Sequence, residues 1–149
     1  MKILSVNSTE KSKYGNIPEP LRLEWLISVY VAKKFGLKSV KANLVTNTNG
    51  MPISHAPGNR PDIEVTFSNE IVLLEPTMIR SRNQQINNET TSVARHLIKF
   101  DSQLNKRVVM IAPYVHLDTI LFFKNTSINE RLDLLPLTLD YFMEIINNS

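Results

Sequence analysis

The 149 residues include 42% hydrophobic and 21% charged side chains, the proportions of an ordinary globule, and suffice for one domain with a real core but not for two. Without cysteine the chain has no disulfides, thiolate metal sites or cysteine nucleophiles; without an eighteen-residue apolar run or a signal-peptide core it shows no membrane span or secretion signal, so an intracellular, cytoplasmic location is the default expectation. A net charge of +3 and a pI near 9.2 permit binding to a phosphate backbone without demanding it.

Residues 1–17 read as a polar N-terminal arm in which Ile3 to Val6 could form a short strand. Pro18-Glu19-Pro20 then opens a helix, because proline suits the first helical position and an acid suits the positive end of the dipole. It should run to about Phe35, with Lys33 and Lys34 in the last turn and Gly36 as the stop. Its apolar residues lie nearly all round, which predicts deep burial. Glu24 sits inside this apolar helix. A buried carboxylate needs a partner, either an arginine from elsewhere or a cation site.

Leu37 to Val45 is a strand or an extension, and Thr46 to Arg60 is a loop or a tight hairpin turning at Asn49-Gly50. Asp62 to Phe67 then alternates polar and apolar, Ser68-Asn69 turns the chain, and Glu70 to Thr77 resumes as a second strand. Ile71, Leu73, Glu75 and Thr77 share one face of it; Val72, Leu74 and Met78 share the other. Antiparallel pairing sets the start of the first strand beside the end of the second, so Asp62 and Glu75 should lie side by side. Two close carboxylates repel unless a cation or a shared proton relieves them, and a hard divalent cation such as Mg²⁺ suits such an oxygen-rich place. Either acid alone would more often be a solvated strand end. Pro76 should end regular pairing.

Gln85 to about Leu104 reads as a second helix with Ile86, Val93, Leu97, Phe100 and Leu104 on one face. Glu89 and His96, nearly two turns apart, share another face with Ser92; taken alone, His96 would more often be structural. Six cations, Arg80, Arg82, Arg95, Lys99, Lys106 and Arg107, against Glu89 and Asp101 suit a polyanion-binding surface or a solvated helix face equally. Arg107 to Ala112 is a strong strand, Thr119 to Phe123 an apolar segment of open type, and Leu134 to Leu139 a short last strand. Asp140 can cap a closing helix through Ile146.

Pro61-Asp62, then Glu75-x-Thr77 after an apolar run, resembles the active-site strands of the PD-(D/E)-x-K nucleases, with Thr77 in the usual lysine position. The closer resemblance is to the cleavage domains of AlwI-like type IIS restriction endonucleases and the small subunits of heterodimeric enzymes. Leu23-Glu24-Trp25, Lys33-Lys34-Phe35-Gly36, Gly50-x-Pro52, Pro57-Gly58, Asp62-Ile63, Glu75-x-Thr77, Gln85, Glu89 and Val93-x-Arg95-His96-Leu97 carry it over roughly residues 20–110. Glu-x-Thr is shared by that group. Two departures are Pro76 and a Glu75-to-Glu89 spacing one residue longer than the resemblance leads one to expect.

The resemblance implies an α/β restriction-endonuclease-like core, a central mixed sheet flanked by helices. It implies Mg²⁺ bound by Asp62 and Glu75, with Glu24 a direct or water-mediated ligand. The base would be the metal-activated water itself or a water held by Glu89 and oriented by Thr77, while Gln85, Arg95 and His96 would contact phosphate or support the acids. The expected partners are double-stranded DNA and either a larger DNA-recognition subunit or a second copy, because the chain has no room for a separate recognition domain. A catalytically inactive nuclease-like interaction module, or a repair or junction nuclease of the same fold, would share these features.

Overall fold

The computed structural model describes residues 16–149; the expected N-terminal arm, with its strand at Ile3 to Val6, lies outside them apart from Asn16 and Ile17. The first helix, α1 (Glu19–Phe35), has the expected bounds. Prolines flank its start, and Gly36 closes it at φ 92°, a backbone conformation that residues with a Cβ rarely adopt. Its burial is one-sided rather than all round. Leu23, Ile27 and Val31 recur at helical spacing on the sheet-facing side, whereas Val29 is half exposed, because α1 lies on a single sheet face.

The stretch left open between strand and extension divides in two. Its first part, β1 (Val40–Ala42), joins the main sheet; its second, β2 (Val45–Thr46), pairs with β3 (Pro52–Ser54) in a separate ribbon. The Asn49-Gly50 turn is therefore a hairpin turn. Gly50 takes φ 77°, and the Asn47 side chain accepts from the N–H groups of Asn49 and Met51.

The central hairpin is β4 (Ile63–Thr66) and β5 (Glu70–Pro76), closed by the Phe67 N–H donating to the Glu70 carbonyl at 2.8 Å. Next to β5 and parallel to it runs β6 (Asn105–Ala112), and parallel to that β7 (Leu134–Thr138), giving the order β1-β4-β5-β6-β7. Alternation sorts β5 as expected: Val72 and Leu74 face α1, while Ile71 and Leu73 face the opposite layer. Pro76 fits as the last paired residue. The next N–H, that of Thr77, makes the bond to the Ile111 carbonyl at 2.8 Å, so the proline nitrogen is directed away from β6 and past the end of β4.

Parallel pairs need crossover helices. From β5 to β6 the chain passes through α2 (Arg82–Gln84), a π turn (Gln85–Glu89) and α3 (Thr90–Lys99). This helix ends at Lys99 rather than near Leu104, because Phe100 turns extended and Lys106 Nζ donates to the carbonyls of Leu97 and Phe100 at 2.8 Å. From β6 to β7 it passes through α4 (Leu117–Glu130), which settles the Thr119 to Phe123 segment as helical, with both those residues buried. The closing helix, α5 (Leu139–Asn147), is capped by Thr138, whose hydroxyl accepts the Tyr141 N–H at 3.3 Å, and not by Asp140 as expected. The result is a mixed sheet with helices on both faces. No described helix is long and apolar enough to cross a membrane.

Candidate active site

In α/β sheets the crevice beyond the carboxyl ends of parallel strands is where ligands gather, and β5 delivers Glu75 and Thr77 there. The β4–β5 register pairs Ile63 with Leu74, so the next position outward sets Asp62 against Glu75. The side-by-side placement expected from the sequence is met. A hydrogen bond joins the two carboxyl groups. Burial, and then the charges of Glu75 and Glu24, push Asp62 up to about 9. Burial also lifts Glu75, to about 8, with Glu89 and Glu24 adding to it and the bond from Asp62 opposing it. At neutral pH this dyad retains a proton.

Two further carboxylates close in from other elements. Glu24, on α1, is 2% exposed; burial raises its pKa, and His55, just beyond β3, opposes that with Nδ1 2.7 Å from Oε2. Glu24 Oε1 is buried with no hydrogen-bond partner. The arginine that sequence offered as an alternative partner is not what Glu24 meets. Glu89, the last residue of the π turn, is raised by burial and lowered by the Thr77 hydroxyl and by His96. The π turn, which holds one residue more than an α turn, brings Glu89 close enough to act on Glu75 and His96.

Thr77 is 8% exposed, and its Oγ1 also accepts the Ile79 N–H at 3.2 Å. His96 Nδ1 stands 2.7 Å from Glu75 Oε1; burial lowers the ring's pKa, so a neutral imidazole donates Nδ1–H to the carboxylate. Asp62, Thr77, Glu24 and His55 line one cleft of about 620 Å³ with Pro20, Arg80 and Gln84.

Of the two roles expected for Gln85, phosphate contact or support of the acids, its placement favours the second. It is wholly buried, donates Nε2–H to the carbonyls of Ile79 and Tyr114 at 3.0 and 2.6 Å, and accepts at Oε1 from His116 N–H and the Thr119 hydroxyl at 3.2 and 2.9 Å. With its amide fully engaged it has no surface with which to reach a phosphate, and it supports the loops under the acids instead. The basic segment also splits. Arg82 pairs with Asp118, Arg107 with Asp133, and Lys106 is a helix cap, whereas Arg95 is exposed beside His96 and Arg80 lines the cleft.

His55 escaped sequence reasoning. Its only signal was a lone histidine in a loop rich in proline and glycine, and nothing local links it to a helix thirty-one positions earlier. Among the described residues no three His, Asp or Glu side chains already form a set of metal ligands. What the site offers is the closely placed Asp62–Glu75 pair, with Glu24 Oε1 unpartnered and buried nearby.

The family described as AlwI restriction endonuclease matches residues 6–145. Among solved structures, the small subunit (R.BspD6I2) of the heterodimeric restriction endonuclease R.BspD6I shares the fold. It superposes with a TM-score of 0.78 at 22% sequence identity, covering 93% of this chain and 73% of its own. No curated protein sequence matches the chain.

Proposed function

Because the chain belongs to the AlwI restriction endonuclease family, we propose that it is the cleavage subunit or cleavage domain of a type IIS enzyme, hydrolysing a phosphodiester bond in one strand of duplex DNA. The observation that carries this is the convergence of Glu24, Asp62, Glu75 and Glu89, from α1, the central hairpin and the π turn, on one site with perturbed carboxyl groups.

The donor set fits a hard divalent cation. Burial raises all four carboxyl groups, the charge of Glu24 adds to this at both Asp62 and Glu75, and the buried Glu24 Oε1 lacks any partner. Asp62 and Glu75 would hold Mg²⁺, with Glu24 a direct or water-mediated third ligand. When bound, the ion supplies Lewis-acid stabilisation of charge building on the phosphate and favours ionisation of the attacking water.

The remaining work falls to the chain's own side chains. Glu89, steadied by the Thr77 hydroxyl, takes up the proton of the water it orients. His96 donates Nδ1–H to Glu75 and fixes which way that carboxylate faces. Arg95 and Arg80 meet phosphates flanking the scissile bond. The described residues are spent on this core, so target choice belongs to a separate recognition subunit or domain; the fold shared with the small subunit of a heterodimeric enzyme supports a larger partner.

Plasmid cleavage tests the proposal. Wild type and Asp62→Ala are incubated with Mg²⁺ or EDTA, alone and with the product of the neighbouring open reading frame. Mg²⁺-dependent, site-specific cutting in the mixture that Asp62→Ala abolishes is the expected result. Equal silence of wild type and variant, in a mixture that still binds DNA, would make the chain a nuclease-like interaction module.

A further inference from the structure

The β2–β3 ribbon is small, yet it is pinned to α1 at a telling place. Trp25 donates Nε1–H to the Gly50 carbonyl at the ribbon's turn, at 3.1 Å, and the strand that returns from that turn runs straight into His55. Neighbouring residues of α1 thus hold both ends of one device: Trp25 grips the ribbon's tip, and Glu24 receives the ring that follows its last strand. The Ala56 backbone N–H adds a further contact that favours the ionised Glu24. With Glu24 ionised, its carboxylate accepts and His55 Nδ1 carries the hydrogen in this pair. Oε2 is then occupied, Oε1 is left buried and unpartnered, and the ring itself remains 55% exposed along the cleft.

We propose that His55 is the positioning residue of Glu24: its Nδ1–H, 2.7 Å from Oε2, engages one carboxylate oxygen and leaves the other oriented for the divalent cation. This rests on the cation-dependent nuclease function proposed above. It gives the β2–β3 ribbon a purpose in the site, that of carrying a histidine to the carboxylate on α1. Partners that orient a ligating group commonly change metal affinity by about 10–100-fold when removed.

The test is titration of the metal-free chain with Mn²⁺, following loss of the free-ion electron paramagnetic resonance signal. Wild type, Asp62→Ala, His55→Leu and His55→Asn are compared, with thermal unfolding of each recorded alongside. Asparagine can set its amide nitrogen where Nδ1 stands; leucine cannot. The expected result is binding by wild type, loss in Asp62→Ala, roughly tenfold weaker binding in His55→Leu, and recovery to near wild type in His55→Asn, with coincident unfolding curves. Unchanged affinity in His55→Leu while Asp62→Ala loses binding would overturn the role of His55 and leave the carboxylate site standing. An asparagine variant as weak as leucine would overturn positioning through Nδ1. Equal behaviour of wild type and Asp62→Ala would remove the cation site itself, and this inference with it.

Discussion

Asp62 and Glu75 face each other one position beyond the last β4–β5 pair, Ile63 and Leu74, and are joined by a hydrogen bond between their carboxyl groups. An antiparallel ladder brings them together whether or not a cation is there to separate their charges. Their closeness is a property of the register, and its energetic cost is carried by the metal-free protein.

That cost has a sign. Both folded-state pKa values lie above the ordinary carboxylate range, near 9 and 8. Below about pH 4 the carboxyls are protonated in folded and unfolded chains alike and the full stability is present. As pH rises toward 9 the unfolded chain releases protons that the folded chain keeps, and stability is lost. The metal-free protein should therefore melt progressively lower from pH 5 to pH 9. Asp62→Asn should flatten that slope, raising stability at pH 8 on the order of 2 kcal/mol, roughly 5 °C, with little change at pH 5. Thermal scans in EDTA at several pH values check this; a wild-type slope retained in the variant would contradict it.

Gln85 allows stability and DNA contact to be separated. Its four hydrogen bonds join the π turn to Ile79, Tyr114, His116 and Thr119 with no exposure to water. Gln85→Leu keeps the bulk but leaves those groups unpaired, and should cost about 3 kcal/mol in urea unfolding. Below the unfolding transition, DNA affinity and its salt dependence should match wild type. A flatter salt slope would mean that the amide does reach a phosphate.

Much of this architecture was legible because it depends on neighbours in sequence. The bounds of α1 follow from Pro18, Pro20 and Gly36, and the two faces of β5 follow from strict alternation. The Asp62–Glu75 pairing followed from one short turn at Ser68-Asn69. What stayed hidden depends on contacts between distant parts of the chain. Whether Thr119 to Phe123 is helix or strand is decided by its packing over β7, and the end of α3 by Lys106 reaching back to Leu97 and Phe100. The π turn has no signature beyond an awkward spacing. His55 meets Glu24 across the ribbon that Trp25 also grips, which no local pattern announces.

The cations of the basic segment should divide by their partners. Arg107 and Arg82 are held by Asp133 and Asp118, whereas Arg95 stands exposed next to His96 on α3. Arg95→Ala should weaken binding to any duplex, reduce the salt slope by about 1, and leave the melting temperature unchanged. Arg107→Ala should leave DNA binding alone and lower stability by about 0.5 kcal/mol. Fluorescence anisotropy on a non-specific duplex across a salt series distinguishes the two; equal slopes in both variants would show that the segment is only a solvated face.

The Thr77 hydroxyl donates to Glu89. That bond favours the ionised carboxylate, against the burial that raises its pKa. Thr77→Val preserves shape and removes the bond, so the pKa of Glu89 should climb further. If Glu89 takes the proton of the attacking water, the acid limb of the cleavage rate should move to higher pH, and the rate at pH 7 should fall about tenfold. Thr77→Ser, which restores a hydroxyl, should return the limb most of the way. The measurement is single-turnover cleavage from pH 5.5 to 9, in whichever mixture of the plasmid test supports cutting. A valine variant with a lower rate but an unshifted limb would mean that Thr77 holds the backbone at Ile79 and that the base lies elsewhere.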